Sequence, residues 1–300
     1  MTILVTGGSG LVGKELQKIM PNAIYLSSSD YDLRTEFGVY SMYESIRPNE
    51  VIHLAARVGG IFDNISRPNT YLEDNILMNT LMLKGAREYE VDFFTGILST
   101  CIYPDVQDSY PMTEEQLHDG PPTPTNFSYA YAKRLMAVHI DTINRQYNKN
   151  YNYLIPCNLY GAEDKDDESK SHFVTALLKK IQYAKINNEE SITLYGDGTP
   201  LRQFMHASDL AKVIKYCLEN NINESFNVAT DENYSIKQIA QIALEATEMQ
   251  HLKIEFDKTK PNGQHRKDVS INKIKEVIPD FNPIRLIDGL RMSYNWRNND

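Results

Sequence analysis

Residues Ile3–Gly13 read ILVTGGSGLVG, a short β-branched run that leads directly into a glycine-rich turn. Gly7, Gly10 and Gly13 have the spacing of a dinucleotide-binding loop, and apolar residues at helical spacing follow over Val12–Met20. In such a loop the three glycines permit a tight turn, close approach of the backbone to a pyrophosphate, and close packing of helix on strand. The helix N-terminus adds N–H donors and a positive dipole. The stretch therefore predicts the nucleotide-binding corner of an α/β fold.

Short apolar runs alternate with longer segments of helical period along the rest of the chain, which predicts βαβ units and a doubly wound parallel sheet of the Rossmann type. The predicted strands are Ile3–Thr6, Ile24–Leu26, Val51–Leu54, Phe93–Ser99, Tyr153–Pro156, Ile192–Tyr195 and Phe226–Val228. The predicted helices are Val12–Met20, Tyr71–Tyr89, Tyr129–Tyr147 and Ser235–Met249, the last with a serine at its N-cap position.

The polar run Glu163–Ser171 follows the fifth predicted strand and marks a crossing into a second, smaller lobe. We therefore expect a dinucleotide-binding domain over residues 1–160 that returns near 204–230. Residues 161–203 and 231–300 then form the smaller C-terminal lobe, which binds the substrate. The substrate is expected between the two lobes.

The net charge of −9 makes nucleic acid and anionic membranes poor partners, because the field around the protein repels them. The cysteines Cys101, Cys157 and Cys217 are odd in number and widely spaced, which argues against a disulfide framework and fits a reducing compartment. Signal-peptide features and an apolar run of membrane-spanning length are not found in the sequence. We expect a cytoplasmic protein.

The end of the second strand bears on the choice of cofactor. An NAD enzyme usually has an acidic residue there that binds the ribose hydroxyls, whereas this chain has Ser27, Ser28 and Ser29. The absence of a carboxylate favours NADP. No Arg or Lys stands at this position either, so the preference over NAD is left open.

Ser99, Tyr129 and Lys133 form a predicted carbonyl-reducing group. Tyr129 and Lys133 are four residues apart on one predicted helix, hence on one face, and Ser99 ends the fourth predicted strand. An ammonium group and a positive cofactor ring would lower the pKa of a tyrosine by two to three, equivalent to roughly 3–4 kcal/mol. Taken alone, the Tyr-x-x-x-Lys spacing also fits a solvated lysine beside a half-buried tyrosine.

Several further stretches resemble the extended short-chain dehydrogenases and, within them, the GDP-L-fucose synthase family. They are His53–Ile61 (HLAARVGGI), Ser99–Pro104 (STCIYP), Asn158–Gly161 (NLYG), Ser171-His172, Gly198–Phe204 (GTPLRQF) and Lys260–Gly263 (KPNG). The resemblance covers nearly the whole chain. It implies NADPH-dependent 3,5-epimerisation and 4-keto reduction of GDP-4-keto-6-deoxy-D-mannose. It also implies a homodimer formed through the predicted helices Tyr71–Tyr89 and Tyr129–Tyr147.

Cys101 and His172 are the epimerase residues that the resemblance implies. A ketone at C4 acidifies the hydrogens at C3 and C5, so one base and one acid can invert both centres through an enolate. Ordinary pKa values of about 8.5 for a thiol and 6.5 for an imidazole suit these roles near neutral pH. We expect Cys101 to be the base and His172 the acid. A small buried hydrophobe and a hydrogen-bonded loop histidine are the structural alternatives.

The predicted site residues around these groups belong to two sets. The cofactor-binding set, in addition to Tyr129, Lys133 and His172, is Gly7, Gly8, Ser9, Gly10, Leu11, Val12, Gly13, Ser28, Leu98, Pro156, Asn158 and Leu159. The resemblance places Lys180, Tyr195, Arg202, Lys253 and Lys267 around the GDP group, where cations offset the diphosphate charge. No metal site is predicted.

Two departures from the family pattern leave the sugar open. Asp164-Lys165-Asp166 replaces the usual Asp-Asn-Phe, and Lys180 stands where an arginine is expected, which keeps the charge but loses the bidentate fork. A GDP-heptose or another 4-keto-6-deoxy sugar therefore remains an alternative substrate. A C4-reductase without epimerase activity and a non-catalytic NADPH-sensing regulator are the alternative functions.

Overall fold

The computed structural model describes residues 1–162, 173–260 and 262–299. Its strands are β1 (Ile3–Thr6), β2 (Ile24–Leu26), β3 (Glu50–His53), β4 (Phe93–Ile97), β5 (Asn152–Pro156), β6 (Asn158–Tyr160), β7 (Ser191–Tyr195), β8 (Leu201–His206), β9 (Phe226–Val228), β10 (Asn233–Ser235) and β11 (Lys253–Asp257). Its α-helices are α1 (Leu11–Ile19), α2 (Glu36–Ile46), α3 (Ile61–Ser66), α4 (Pro68–Glu88), α5 (Phe127–Tyr147), α6 (Phe173–Asn187), α7 (Ala207–Glu219), α8 (Ile236–Ala246), α9 (Asn272–Val277) and α10 (Leu286–Asn299).

Six parallel strands form the main sheet in the order β2-β1-β3-β4-β5-β9. The chain moves from β1 to one side and then returns to β3 on the other side, so the winding reverses at β1. Ligands of such sheets bind beyond the carboxyl ends of the strands at this switch point. The predicted parallel α/β fold is confirmed, and the phosphate loop after β1 opens at this edge.

Helices pack beside this sheet in two groups. Helix α4 packs against both α2 and α5, while α1 packs against α7. Every residue of β3 and β4 is buried, as expected for strands covered on both faces. Fully buried Leu4, Ile52, Phe94 and Leu154 are at the centre of the largest hydrophobic core.

A second hydrophobic core includes Tyr160, Leu178, Ile239 and Leu290, whereas Ile274 of α9 belongs to the main core. Strands β10, β8 and β6 form a three-stranded sheet, and β11 pairs in parallel with β7. Helix α8 begins after Ser235, whose side chain accepts a hydrogen bond from the Gln238 amide in a capping box. The predicted helix in this region therefore exists, although it ends at Ala246 rather than Met249.

Candidate active site

The phosphate loop leaves β1 through Gly7 and closes on the start of α1. Gly7 has φ +73°, and a Cβ there would lie 2.8 Å from the Ala55 nitrogen. A Cβ on Gly13 would lie 2.4 Å from the Gly8 carbonyl oxygen. Both positions therefore require glycine, because a side chain would collide with backbone atoms.

The same loop fits a dinucleotide pyrophosphate. Gly10 precedes α1 without any side-chain cap, so the first N–H groups of the helix have no side chain in front of them. A Cβ on Gly10 would meet only the Gly7 oxygen, at 3.2 Å, so the loop is open on this side. Open backbone at a helix N-terminus binds phosphate oxygens.

The other predicted cofactor residues lie along the carboxyl edge of the strands. Ser9 is in the loop, Leu11 and Val12 begin α1, Ser28 follows β2, Leu98 follows β4, Pro156 ends β5, and Asn158 and Leu159 are in β6. After β2, the amide and hydroxyl of Ser27 both donate to a carboxylate oxygen of Asp30, at 2.7 and 2.8 Å. Ser28 itself is exposed.

Tyr129 and Lys133 are in the first two turns of α5, and Ser99 follows β4. Lys133 is only 2% exposed, and its ammonium donates to the Ile97 carbonyl oxygen at 2.7 Å. That bond ties α5 to the end of β4, two residues before Ser99. The structure therefore anchors the lysine of the predicted reducing group at the carboxyl edge of the main sheet.

The electrostatics of this group differ from the sequence-based expectation. Burial raises the pKa of Tyr129, with further contributions from Cys101 and Tyr71, whereas we expected Lys133 to lower it. Burial also lowers the pKa of Lys133 to about 7. Lys133 bonds to a backbone carbonyl, and its removal from water favours the neutral amine over the ammonium. Tyr129 is therefore a protonated phenol in this structure.

Cys101 lies in the short 3-10 turn Thr100–Ile102 that follows Ser99. The Ser99 hydroxyl accepts a hydrogen bond from the Cys101 amide at 3.4 Å, and the Lys267 ammonium lies 3.8 Å from the Cys101 sulfur. Burial acts to raise the pKa of the Cys101 thiol, but Lys267, Ser99, Asn126 and Arg202 together bring it below its ordinary value. The surroundings thus favour a thiolate, which is the reactive form.

Two residues that act on this turn were missed by the sequence analysis. The Arg134 guanidinium, 7% exposed, donates to the carbonyl oxygens of Ile102 and Gly120 at 2.9 Å and so fastens the Cys101 turn to α5. Asn126, which immediately precedes α5, helps to lower the pKa of the Cys101 thiol. Neither residue lies in one of the motifs that indicated the site.

The predicted substrate residues fall into separate groups. Arg202 reaches the Cys101 region, where its guanidinium donates to the carbonyl oxygens of Leu201 and Gln264 at 2.7 and 2.6 Å. Burial lowers the pKa of Arg202 and of Lys267, and the nearby Cys101 opposes this effect in both. These two half-buried cations therefore both act on the thiol.

A second group surrounds Tyr195, whose side chain is 58% exposed. The ammonium groups of Lys180 and Lys260 lie 5.4 and 5.9 Å from its ring centre, within cation–π distance. Lys180 also donates to the Thr193 carbonyl oxygen at 2.6 Å. Lys260 was not among the predicted site residues.

Lys253 is separated from this group. It pairs with Ser191 at the start of the β7–β11 ladder, whereas Asp257 pairs with Tyr195 at the other end. Four residues of strand span about 13 Å. The structure thus does not bring Lys253 to the aromatic ring with Lys180.

His172 and Ser171 lie outside the described residues, as do Glu163–Ser171 and the segment Asp164-Lys165-Asp166. Within the residues the structure does describe, no cluster of three His, Cys, Asp or Glu side chains could hold a metal ion. The described helices include none long and apolar enough to cross a membrane.

The arrangement combines a proton donor with a stabilised thiolate. Tyr129 can donate a proton to a carbonyl oxygen, and Cys101 can remove a proton from a carbon beside that carbonyl. The Cys101 thiol contributes to the raised pKa of Tyr129, so the two side chains are near enough to act on one substrate. A site with an acid, a base and an adjoining dinucleotide loop suits epimerisation combined with reduction.

Known proteins share both sequence and fold with this chain. A family model described as "NAD dependent epimerase/dehydratase family" matches residues 3–229. GDP-L-fucose synthase from Dictyostelium discoideum is 39% identical over 98% of this chain and 94% of its own length. GDP-L-colitose synthase from Yersinia pseudotuberculosis is 32% identical, with full coverage of both chains. The structure of a GDP-L-fucose synthetase from Naegleria fowleri bound to NADP superposes with a TM-score of 0.88 at 31% identity, covering 99% of this chain and 94% of the other.

Proposed function

Because this chain belongs to the NAD dependent epimerase/dehydratase family, and within it to the GDP-L-fucose synthases, we propose that it converts GDP-4-keto-6-deoxy-D-mannose to GDP-L-fucose. It is an NADPH-dependent oxidoreductase with epimerase activity on a GDP-sugar. The observation that carries the proposal is the Cys101 thiol 3.8 Å from the Lys267 ammonium, in a turn whose amide donates to Ser99 and beside the tyrosine of the reducing group. A reductase alone has no use for such a base.

Epimerisation comes first and uses Cys101. The thiolate takes a proton from C3 or C5, the C–H bond breaks, and its electron pair moves toward the C4 carbonyl to form an enolate. His172, which lies outside the described residues, returns a proton to the opposite face in this proposal. The half-buried ammonium of Lys267 and guanidinium of Arg202 favour the charged form of the thiol before each abstraction.

Reduction at C4 uses the phenol of Tyr129. NADPH, when bound, supplies the hydride that adds to the carbonyl carbon. Tyr129 donates its proton to the carbonyl oxygen, and its raised pKa keeps that proton in place until the oxygen becomes basic. Ser99 donates a hydrogen bond to the same oxygen. We assign the Lys133 ammonium, held beside the Ile97 carbonyl, to the ribose of NADPH.

The cofactor is held along the carboxyl edge of the main sheet. We assign the pyrophosphate to residues 7–13 and the adenosine side to Ser28. The nicotinamide side is assigned to Leu98, Tyr129, Lys133, Pro156, Asn158, Leu159 and His172. Residues 1–160, with a return near 204–230, form the NADPH domain of this proposal, and the rest of the chain forms the nucleotide-sugar lobe.

The GDP group is assigned to the cations of the second lobe. Tyr195 covers the base or ribose, and Lys180 with Lys260 offsets the diphosphate charge, because both ammonium groups already lie near the Tyr195 ring. Arg202 and Lys267 bind the end of the diphosphate nearest the sugar. Lys253 is left out because it is at the far end of the ladder.

A second candidate is the same chemistry on a different GDP-linked 4-keto sugar. Lys180 in place of an arginine and the similarity to a GDP-L-colitose synthase favour keeping it open. Both features concern how the substrate is held, whereas the acid and base are the same in either case.

The test is incubation with NADPH and a panel of GDP- and dTDP-linked 4-keto sugars, including a GDP-4-keto-heptose, in deuterated water. Proton NMR should show deuterium at C3 and C5 of GDP-4-keto-6-deoxy-D-mannose and a product with the L-fucose configuration. NADPH consumption without deuterium incorporation would reduce the activity to a plain C4-reductase. Faster turnover of another sugar would select the second candidate.

We further propose a cytoplasmic homodimer that pairs through α4 and α5. These helices pack on each other, and Leu77, Leu135 and Val138 leave 45%, 44% and 42% of their surfaces exposed. Apolar side chains on adjoining helices are typical of a protein interface. Leu135→Glu combined with Val138→Glu should convert a dimer to a monomer by light scattering. A monomeric parent protein would contradict this assembly.

A further inference from the structure

Gln203 is a buried side chain whose two ends both bind the backbone of a distant segment. It lies in β8 and is only 5% exposed. Its amide oxygen accepts a hydrogen bond from the Val269 N–H at 2.9 Å, and its amide nitrogen donates to the carbonyl oxygens of Val269 and Thr230 at 3.1 and 2.8 Å. A buried amide is costly unless its groups are paired, and this one is paired at both ends. The side chain therefore fastens Val269 to β8 as a neighbouring strand would.

The segment that Gln203 holds carries Lys267. Two residues before Lys267, the carbonyl oxygen of His265 accepts a hydrogen bond from the Leu201 N–H at 2.8 Å. Two residues after Lys267 comes Val269, which the Gln203 amide binds. Lys267 is therefore at the midpoint between two anchors, and both anchors are on β8.

The same segment also contacts the loop that follows the Cys101 turn. The Met112 N–H donates to the Asp268 carbonyl oxygen at 2.9 Å, and the Ser270 N–H donates to the Met112 carbonyl oxygen at 2.7 Å. These bonds join backbone groups only, so they do not depend on the side chain at position 203. The segment therefore stays in the fold when that side chain is changed, while its attachment to β8 is weakened.

We infer that Gln203 is a positioning residue that keeps the Lys267 ammonium at the Cys101 sulfur by fixing the backbone at Val269. The inference rests on the proposed function, in which Cys101 is the base. The ammonium lies 3.8 Å from the sulfur, and the attraction between two charges falls as they separate and as water enters between them. Loss of the Gln203 amide should leave the lysine in the chain but weaken its effect on the thiolate.

Lys267 is one of several groups that act on the thiol. The others are Ser99, Asn126, Tyr129 and Arg202. Arg202 adjoins Gln203 in β8, but its guanidinium donates to the carbonyl oxygens of Leu201 and Gln264, and these bonds do not involve the Gln203 side chain. An effect of Gln203 on the thiol should therefore pass through Lys267.

Gln203→Met is the informative variant, because methionine has nearly the length of glutamine but cannot form the paired hydrogen bonds to Val269. Asn75→Leu is the matched control. Asn75 is fully buried, and its amide likewise pairs with both backbone groups of one residue, Arg57, and with the carbonyl oxygen of a second, Tyr71. Both replacements remove the same kind of buried polar contact, but only the first affects the segment beside the thiol.

The first measurement is the rate of Cys101 alkylation by iodoacetamide against pH, without substrate. The midpoint of this profile reports the pKa of the thiol, whereas a change in access alters the plateau. Cys157 and Cys217 will not interfere, because burial raises the pKa of each to about 12. In Gln203→Met the midpoint should rise by roughly 0.5 to 1, so that alkylation near neutral pH is about three- to tenfold slower. Asn75→Leu should keep the parent midpoint, and a parent midpoint in Gln203→Met would overturn the inference.

The same replacement in a Lys267→Met background separates positioning from general loosening. If Gln203 acts through Lys267, adding Gln203→Met should change the alkylation rate by less than about twofold, because residues that share one interaction have non-additive effects. A further slowing of about threefold or more would mean that Gln203 reaches the thiol by another route, and the inference would fail.

The last measurement uses GDP-4-keto-6-deoxy-D-mannose in deuterated water. Gln203→Met should incorporate deuterium at C3 and C5 about three- to tenfold more slowly near neutral pH, and its rate should approach the parent rate at higher pH, where both thiols are ionised. Equally slow exchange at every pH would contradict a role through Lys267. If the unmodified protein exchanges neither position, the proposed function fails, whereas the alkylation midpoints still decide the role of Gln203.

Discussion

The Lys267 ammonium lies 3.8 Å from the Cys101 sulfur, although the two residues are 166 positions apart in the chain. Family resemblance assigned Lys267 to the GDP group, but its nearest reactive partner is the predicted epimerase base. A cation at this distance stabilises the thiolate over the thiol. Lys267 therefore lies beside the predicted base, which the resemblance alone did not indicate.

Replacement of Lys267 by methionine should raise the pKa of Cys101. We expect alkylation of Cys101 near neutral pH to slow about tenfold, which corresponds to a pKa rise of roughly 1. Lys253→Met is the matched control, because that lysine lies at the far end of the β7–β11 ladder. Equal alkylation rates in the Lys267 variant and the parent protein would contradict the assigned role.

The buried ammonium of Lys133 should make stability depend on pH. Its pKa falls from an ordinary 10.5 to about 7 in the folded protein, so between these values the unfolded chain binds more protons. The free energy of unfolding is therefore highest when the pH is above the pKa of Lys133 in the unfolded chain. That stability is lost as the pH falls through the pKa of Lys133 in the folded protein. Below about pH 7 the folded protein must carry a buried charge.

Lys133→Met removes that charge and should change the pH dependence. The parent should gain about 2 to 4 kcal/mol in free energy of unfolding as pH rises from roughly 6 to 10, a gain that the variant lacks. The free energy of the variant minus that of the parent should therefore decrease by this amount over the same range. The lost bond to the Ile97 carbonyl adds a cost that does not vary with pH. Denaturant unfolding of both proteins across this range measures the difference, and a constant difference would rule out the buried charge.

The sequence predicted the main sheet better than the second lobe, for a physical reason. Strands β1, β3 and β4 are buried runs beside long amphipathic helices, so their pattern is visible locally. Strands β6 and β10 have only three residues each, and their pairing with β8 depends on contacts across the fold. Helix α4 begins at Pro68 rather than Tyr71, because proline is well tolerated in the first turn of a helix.

The candidate site was predictable where one motif contained the chemistry. Ser99 and Cys101 share a turn, and Tyr129 and Lys133 share a helix, so each pair was visible in one stretch of sequence, although the role of Cys101 came from the family resemblance. Asn126, Arg134 and Lys260 act across elements, and nothing in their local sequence indicates the partner. The raised pKa of Tyr129 was not visible in the sequence either, because it comes mainly from burial, which depends on the whole fold.

The separation of Lys180 from Lys253 predicts different effects on nucleotide binding. Lys180 lies over the exposed ring of Tyr195, whereas Lys253 is about 13 Å along the strand pair. Lys180→Met should weaken GDP binding about three- to tenfold by calorimetry, since one cation near a diphosphate is lost. Lys253→Met should bind GDP like the parent, and equal weakening in both variants would place the diphosphate elsewhere.

Tyr129→Phe should separate the two halves of the reaction. The variant keeps the ring that fills the site but loses the proton donor, so NADPH consumption should fall about a hundredfold or more, in the range of a lost general acid. Deuterium incorporation at C3 and C5 should continue within about threefold, because Cys101 and its neighbouring cations are unchanged and the phenol acts only at the C4 oxygen. Proton NMR in deuterated water, run beside NADPH absorbance on the same sample, measures both rates. If exchange fell in parallel with reduction, Tyr129 would have to serve the enolate as well, and the division of labour between phenol and thiol would be incorrect.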